Sequence, residues 1–328
     1  MKPSNILITS LLLIVVSLTA CGPSATPSQA LTPITVQLLF THNATFSGFY
    51  AADQKGYYAA EGLVVTFIEG GPTIDLITPV LNGTAHFGVA GADALLLARS
   101  EGKPVQAIAV IDRRSPLVFG AMANSGIARP QDFVGKTIRV TPQVVPALHA
   151  MMERLGIHPD QYTEVTLPSD VAVFDSGEAQ VWGLYLNNFA STLTQTGHNL
   201  NFIYPDDYGV HFYGDTLFTN DELIATQPDL VLHFLRATLK GWTWVIENVD
   251  QTGTLVQKYY ADADPAIEIA KMTSCLPLVN TGEDHIGWMK PGTWTSMEQT
   301  LREQSVITAP LDVTKVYTLQ FLEQIYGK

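Results

Sequence analysis

The chain has 328 residues, with 18 Lys and Arg against 31 Asp and Glu, a formal net charge of -13, 46% hydrophobic residues and two cysteines. So acidic a balance argues against nucleic acid and against charge-driven binding to anionic lipid, and two cysteines leave neither a disulfide framework nor a cysteine-built metal site. The length and apolar content are enough to bury two cores rather than one.

The first twenty residues join a basic start at Lys2 to an apolar run from Ile6 to Leu18, and end Leu18-Thr19-Ala20-Cys21. The run is shorter than a membrane-spanning helix requires and has the shape of a secretory signal that stops at a lipoprotein cleavage site. The expectation is a signal over 1–20, a lipid such as palmitate on Cys21, and a flexible tether over 21–33 that holds the folded body at the extracytoplasmic face of the cell membrane. Lys2 is the only charged residue of the signal, so its removal takes the charge from -13 to -14.

After the tether, Ile34 to Phe40 has the alternation of a strand, followed by a loop Thr41 to Gly48 and a helix Phe49 to Ala60. Val64 to Ile68 is a second strand. Gly70-Gly71-Pro72 then turns into a helix carrying Ile74, Ile77 and Leu81, and Ala85 to Ala90 is a short buried strand. Ala92 to Glu101 returns as helix and Val105 to Ile111 as strand, a spacing that indicates a mostly parallel α/β sheet. Asp112 to Pro116 interrupts the alternation and a second series begins: strands Leu117 to Ala121 and Thr137 to Val140, a helix Val144 to Leu155, strands Glu164 to Leu167 and Ala179 to Leu186, a helix to Gly197 and a strand to Tyr204. The chain then leads into Leu217-Phe218 and from Thr219 turns helical, with Thr219 and Glu222 spaced as a capping box, through Ile224 to Val249 and on to Tyr317 to Ile325. The simplest topology is a discontinuous lobe over 34–116 plus 217–328 and an inserted lobe over 117–216, whose last residues form a hinge segment. A ligand would lie in the cleft between them, outside the carboxyl ends of the strands.

The loops at those ends supply the candidate ligand contacts. Asn43, Phe46 and Tyr50 belong to the first strand-to-helix loop, and Asp93 opens the helix after Gly91, where its carboxylate either receives ring N–H groups or caps the helix. Arg113 and Arg114 lie at the first crossing, placed to donate to ring carbonyls or to pair with Asp215. Thr141 and Gln143 form the corresponding loop of the inserted lobe. Trp182, Tyr185 and Asn187 follow an acidic turn, with Trp182 the leading candidate for stacking, and Tyr208, Phe212 and Tyr213 flank the second crossing. So many aromatic residues favour a flat ligand. The eight histidines show no metal-ligand spacing, no phosphate-binding or nucleophile motif is present, and neither metal nor cofactor is expected.

The stretch from Thr41 to Leu63, with His42-Asn43, Phe49-Tyr50-Ala51-Ala52 and Tyr57-Tyr58-Ala59-Ala60-Glu61-Gly62-Leu63, then Gly70-Gly71-Pro72, Phe87-Gly88-Val89-Ala90, Gly209 to Thr219 and Gly241-Trp242, closely resembles the thiamine-pyrimidine-synthase-like branch of periplasmic binding proteins. That branch includes solute-binding proteins for formylaminopyrimidine and for riboflavin. The resemblance implies a type II periplasmic binding protein, two lobes joined by two crossings. Its role would be to bind riboflavin as a monomer and deliver it to an ABC permease, with a thiamine-precursor pyrimidine as the alternative ligand. A sulfonate ligand ranks behind both, because the loops are aromatic rather than cationic. The synthase members of the branch carry a cysteine-rich motif that is absent from this sequence, so an enzyme is not expected.

Overall fold

The computed structural model describes residues 30–71, 74–282 and 284–328. The signal, Cys21 and the tether up to residue 29 lie outside the described residues, as does Pro72 of the first glycine turn. Among the described residues no helix is long and apolar enough to cross a membrane.

Two five-stranded sheets organise the chain. The first takes β1 (Thr32–Gln37), β2 (Leu63–Ile68), β3 (Phe87–Gly91), β4 (Val105–Val110) and β10 (Asp215–Asn220) in the order β2-β1-β3-β10-β4; the second takes β5 (Leu117–Met122), β6 (Thr137–Arg139), β7 (Thr163–Val165), β8 (Val181–Tyr185) and β9 (Leu200–Ile203) in the order β7-β6-β8-β5-β9. Each sheet has three parallel neighbours and one antiparallel strand inserted beside them, β10 in the first and β5 in the second. The inserted strands run backwards for a topological reason. Both enter their sheet directly from a crossing between lobes, so they begin at the edge where the parallel strands end. The two-lobed α/β architecture is the one expected, but each sheet is mixed.

The core strands are buried on both faces, as Phe87-Gly88-Val89-Ala90 and Ala107 to Val110 show, because helices cover each side. The principal cover of the first sheet is a helix over Pro228–Glu247, started by a proline at its first turn and presenting Val231, Phe234, Leu235, Thr238, Trp242 and Val245 at three- and four-residue intervals. Phe234 stacks on Phe87 with centroids 3.9 Å apart. Gly241 on this helix meets the helix α1 (Ser47–Gln54) so closely that any Cβ would run into the Gly48 carbonyl. Helix α1 is shorter than the expected span because Gly56, at φ 73°, breaks it before a separate turn Tyr57–Ala60. The Thr219–Glu222 capping box does not form. Thr219 ends in β10 with its hydroxyl donating to the His86 carbonyl, while Asn220 caps the next helix by accepting from the Leu223 N–H. Among the described residues, the helix between the glycine turn and β3 is Thr78–Leu81, and Asp75 takes up the N–H groups of Ile77 and Thr78 ahead of it.

The two crossings are hydrogen-bonded to each other. The Ile111 and Asp112 N–H groups donate to the Asp215 carbonyl at 2.8 and 3.2 Å, the Gly214 N–H to the Asp112 carbonyl at 2.8 Å, and the Ser115 N–H to the Phe212 carbonyl at 2.8 Å. Gly214 permits this approach, since a Cβ there would lie 2.8 Å from both Asp112 Cβ and Pro116 Cδ.

Candidate functional site

At the end of β1 the chain turns through His42 and Asn43 into α1. Asn43 is committed to its own loop. Its side-chain oxygen accepts from the Thr45 N–H and hydroxyl, and its amide donates to the Thr41 carbonyl at 2.7 Å. Phe46 is 1% exposed and packs in the core of the first lobe, so it does not reach the cleft. Tyr50 is equally buried, but its hydroxyl meets His42 Nδ1 at 2.7 Å and its ring stacks on Tyr259 with centroids 4.1 Å apart. The His42 ring lies 5.5 Å from Tyr259 at 30°, and its backbone N–H is held by Glu69 at 2.8 Å. His42 and Tyr259 therefore make an aromatic shelf at the strand tip, backed from within by the fully buried Tyr50. Burial keeps the His42 imidazole below its usual range against the opposing pull of Glu69, so the ring on the shelf is neutral. Neither His42 nor Tyr259 was singled out from the sequence. His42 stood in the resembling stretch and was passed over with the other scattered histidines. Tyr259 follows a distant helix and carries no local signal.

The second group gathers around Gly214. Asp215 starts β10 in register with Gly91, and the Asp93 carboxylate folds back over Gly91. Asp112, from the first crossing, lies beside Gly214. Asp112 and Asp215 are 4% and 6% exposed. Desolvation raises both carboxyls, helped at Asp112 by the charge of Asp215, and Asp215 is pushed up to about 7. Asp93 is raised too, by burial against the opposing pull of the Ala94 N–H. Tyr185, at the end of β8 in the other lobe, has its hydroxyl raised first by burial and then by the charges of Asp93 and Asp215. Tyr185 thus feels the charges of both carboxyls from the other sheet.

Other candidates have different surroundings. Trp182 is fully buried between Phe174 and Phe189, with its indole N–H donating to the Ala179 carbonyl at 3.1 Å and the Arg139 guanidinium 5.5 Å over its ring. It is a core residue because β8 is central in its sheet, covered on both faces. Tyr213 is also internal: its hydroxyl accepts from the Lys290 N–H at 2.8 Å and its ring meets Trp294 edge-on. Tyr208 is half-buried against the second sheet's core. Thr141 and Asn187 are half-buried and Gln143 is exposed, all in loops that follow strand ends of the second lobe. The expected pairing of Arg114 with Asp215 is replaced by ion pairs to Asp206 at 2.7 Å and Asp207 at 3.0 Å. Arg113 lines a separate cavity of about 340 Å³ together with Arg114, His211, Phe212, Tyr213 and Trp288, and its charge acts on Tyr326. Among the described residues no group of three His, Cys, Asp or Glu could hold a metal ion.

Comparison with known proteins matches this architecture. The chain is 27% identical to the riboflavin-binding protein RibY of Chloroflexus aurantiacus, over 95% of its own length and 96% of that protein. It is 29% identical to the formylaminopyrimidine-binding protein of Halalkalibacterium halodurans, over 92% and 96%. A relative from Legionella pneumophila, 25% identical over 88% and 92%, is named 4-amino-5-hydroxymethyl-2-methylpyrimidine phosphate synthase. In fold, the periplasmic aliphatic sulphonate binding protein SsuA of Escherichia coli superposes with a TM-score of 0.70 at 12% identity, covering 88% of this chain and 92% of that one. The family model described as NMT1/THI5 like matches residues 43–252, which carry Tyr50, both crossings and the whole second sheet, and the chain belongs to that family.

Proposed function

We propose that the protein is the solute-binding component of an ABC importer, that it closes its two lobes, 34–116 plus 217–328 and 117–216, over riboflavin, and that it hands the vitamin to a permease without altering it. The observation that carries this reading is the aromatic shelf of His42 and Tyr259, backed by the buried Tyr50, at the strand tip of the first lobe. A neutral imidazole stacked on a phenol presents a broad apolar face, and flat rings bind such faces by stacking. The likeness to RibY supports the choice of ligand. The second reading, a thiamine-precursor pyrimidine, is supported by the formylaminopyrimidine-binding relative, and the same shelf would hold it. Lipid attachment at Cys21, a place at the outer face of the cell membrane and a monomeric state belong to the same proposal.

Riboflavin fluorescence decides between the ligands. Titration of the chain from Gly22 onward should quench the flavin saturably with sub-micromolar affinity, and the flavin should be recovered unchanged. Absence of quenching, with calorimetric binding of hydroxymethylpyrimidine or formylaminopyrimidine, would replace riboflavin by the pyrimidine. Conversion of either ligand would refute the transport role.

A further inference from the structure

Nearly every polar atom of the aromatic shelf is already committed. The Tyr259 hydroxyl donates to the Asp53 carboxylate at 2.5 Å, and Lys258 pairs with the same oxygen at 3.2 Å. The Asn43 side chain is spent within its own loop, and the His42 backbone N–H donates to Glu69. On the His42 imidazole, Nδ1 meets the Tyr50 hydroxyl at 2.7 Å. That leaves His42 Nε2, which has no hydrogen-bond partner among the described residues and is not sealed from solvent on its half-buried ring.

Tyr50 decides which ring nitrogen carries the proton. Its hydroxyl is buried, and burial pushes its ionisation far up, so it is a neutral phenol with one proton to place. The Asn43 backbone N–H already donates to the phenol oxygen. Among the described residues the acceptor that the hydroxyl meets is His42 Nδ1. A proton on Nδ1 would set two donors against each other and bury the phenol proton without an acceptor, which is costly. The imidazole is neutral, because burial outweighs the pull of Glu69, and so has a single proton of its own. The chain of bonds from Asn43 through Tyr50 to Nδ1 puts that proton on Nε2.

We propose that the Nε2–H of His42 is the shelf's directional contact with the ligand, a fixed donor that selects flat rings carrying a carbonyl oxygen or an unprotonated ring nitrogen at their edge, with Asn43 and Tyr50 as the positioning residues that set the tautomer. The proposal rests on the reading of the shelf as the ligand's seat. An aromatic face accepts any flat ring by stacking. An N–H fixed by packed neighbours is more exacting: a ring that brings a donor or a methyl group against it leaves it desolvated and unmatched. The face therefore supplies affinity and the edge supplies selection.

Two measurements on the folded chain test this. Long-range proton–nitrogen NMR of the free protein, with His42 assigned by the signals lost in His42→Phe, should show a protonated Nε2 and an unprotonated Nδ1. In Tyr50→Phe the Nδ1 signal should move toward that of a free imine nitrogen, a change that a merely structural tyrosine would not cause. Calorimetry with riboflavin and with formylaminopyrimidine should then show about tenfold weaker binding to His42→Phe, which keeps an aromatic face and loses the donor, the size of one net hydrogen bond. The double variant His42→Phe with Tyr50→Phe also removes the hydroxyl that the single change would orphan, and should show the same loss. If riboflavin is silent and the pyrimidine shows the loss, riboflavin falls as the ligand and the donor stands. A proton on Nδ1 in the free protein, undiminished affinity in both folded variants, or binding of neither compound would overturn the proposal.

Discussion

Asp215→Asn makes a sharp prediction about stability. Asp215 is held at about 7 in the folded protein against an ordinary 3.8, because burial disfavours the carboxylate. The groups facing it are Asp112 on the other crossing, Asp93 at the strand tip, Tyr185 from the second sheet and Cys275 from the helix Pro265–Val279, all neutral or acidic. Between those two pKa values the native chain keeps a proton that the unfolded chain has lost, so the contribution is intact below pH 3.8 and disappears as pH rises through about 7. At about 1.4 kcal/mol per pH unit, three units correspond to about 4 kcal/mol. The asparagine variant has no such proton to lose. Urea unfolding of both proteins at a series of pH values should show the variant gaining on the parent by a few kcal/mol between pH 4 and 7 and the difference levelling off above that. Taking the difference cancels groups of opposite sign, such as His42 and His86, whose lowered pKa values make stability rise with pH. A difference that is the same at every pH would refute the argument that Asp215 holds a buried proton.

Three further outcomes follow from named contacts. Gly214→Ala should destabilise the protein by about 1–3 kcal/mol and weaken ligand binding, because its Cβ would press on Asp112 and Pro116 and force the crossings apart; thermal melting with a parallel titration checks it. His42→Ala should lower affinity for a flat ligand up to about tenfold with little change in melting temperature, since the lost face is half-buried and at the cleft; unchanged affinity would remove the shelf from the site. Trp182→Ala should cost about 3–5 kcal/mol of stability while the folded fraction binds ligand normally, measured by denaturant unfolding and titration below the transition.

Much of the fold was legible because the sequence pattern is local. The β-branched runs at Ile34 to Phe40 and Val105 to Ile111 and the interruption at Asp112 to Pro116 located the strands and the first crossing, and the return at Leu217-Phe218 gave the second. The antiparallel direction of β5 and β10 was not legible, since direction depends on where a strand enters the sheet and alternation is the same both ways. The site was harder. An aromatic residue beside polar neighbours looks alike whether it faces a cleft or fills a core, and Trp182 and Phe46 were core. Asp93 and Tyr185 do stand at or just beyond strand ends, positions that local reading can locate. Their link to Asp112 and Asp215 was not legible, because it depends on two crossings more than a hundred residues apart being held side by side, and Tyr259 reaches the shelf only through tertiary packing.

The bonds between the two crossings bear on the mechanics of capture. Because the passing backbones satisfy each other's N–H and carbonyl groups, the connection behaves as a narrow two-stranded ribbon rather than as two independent tethers. A ribbon flexes readily across its face but resists shear between its strands, so the lobes would open about one axis and the ladder need not be broken in doing so. Little of the ligand's binding energy would then be diverted to ordering the joint, and the permease would meet a molecule with essentially one degree of freedom.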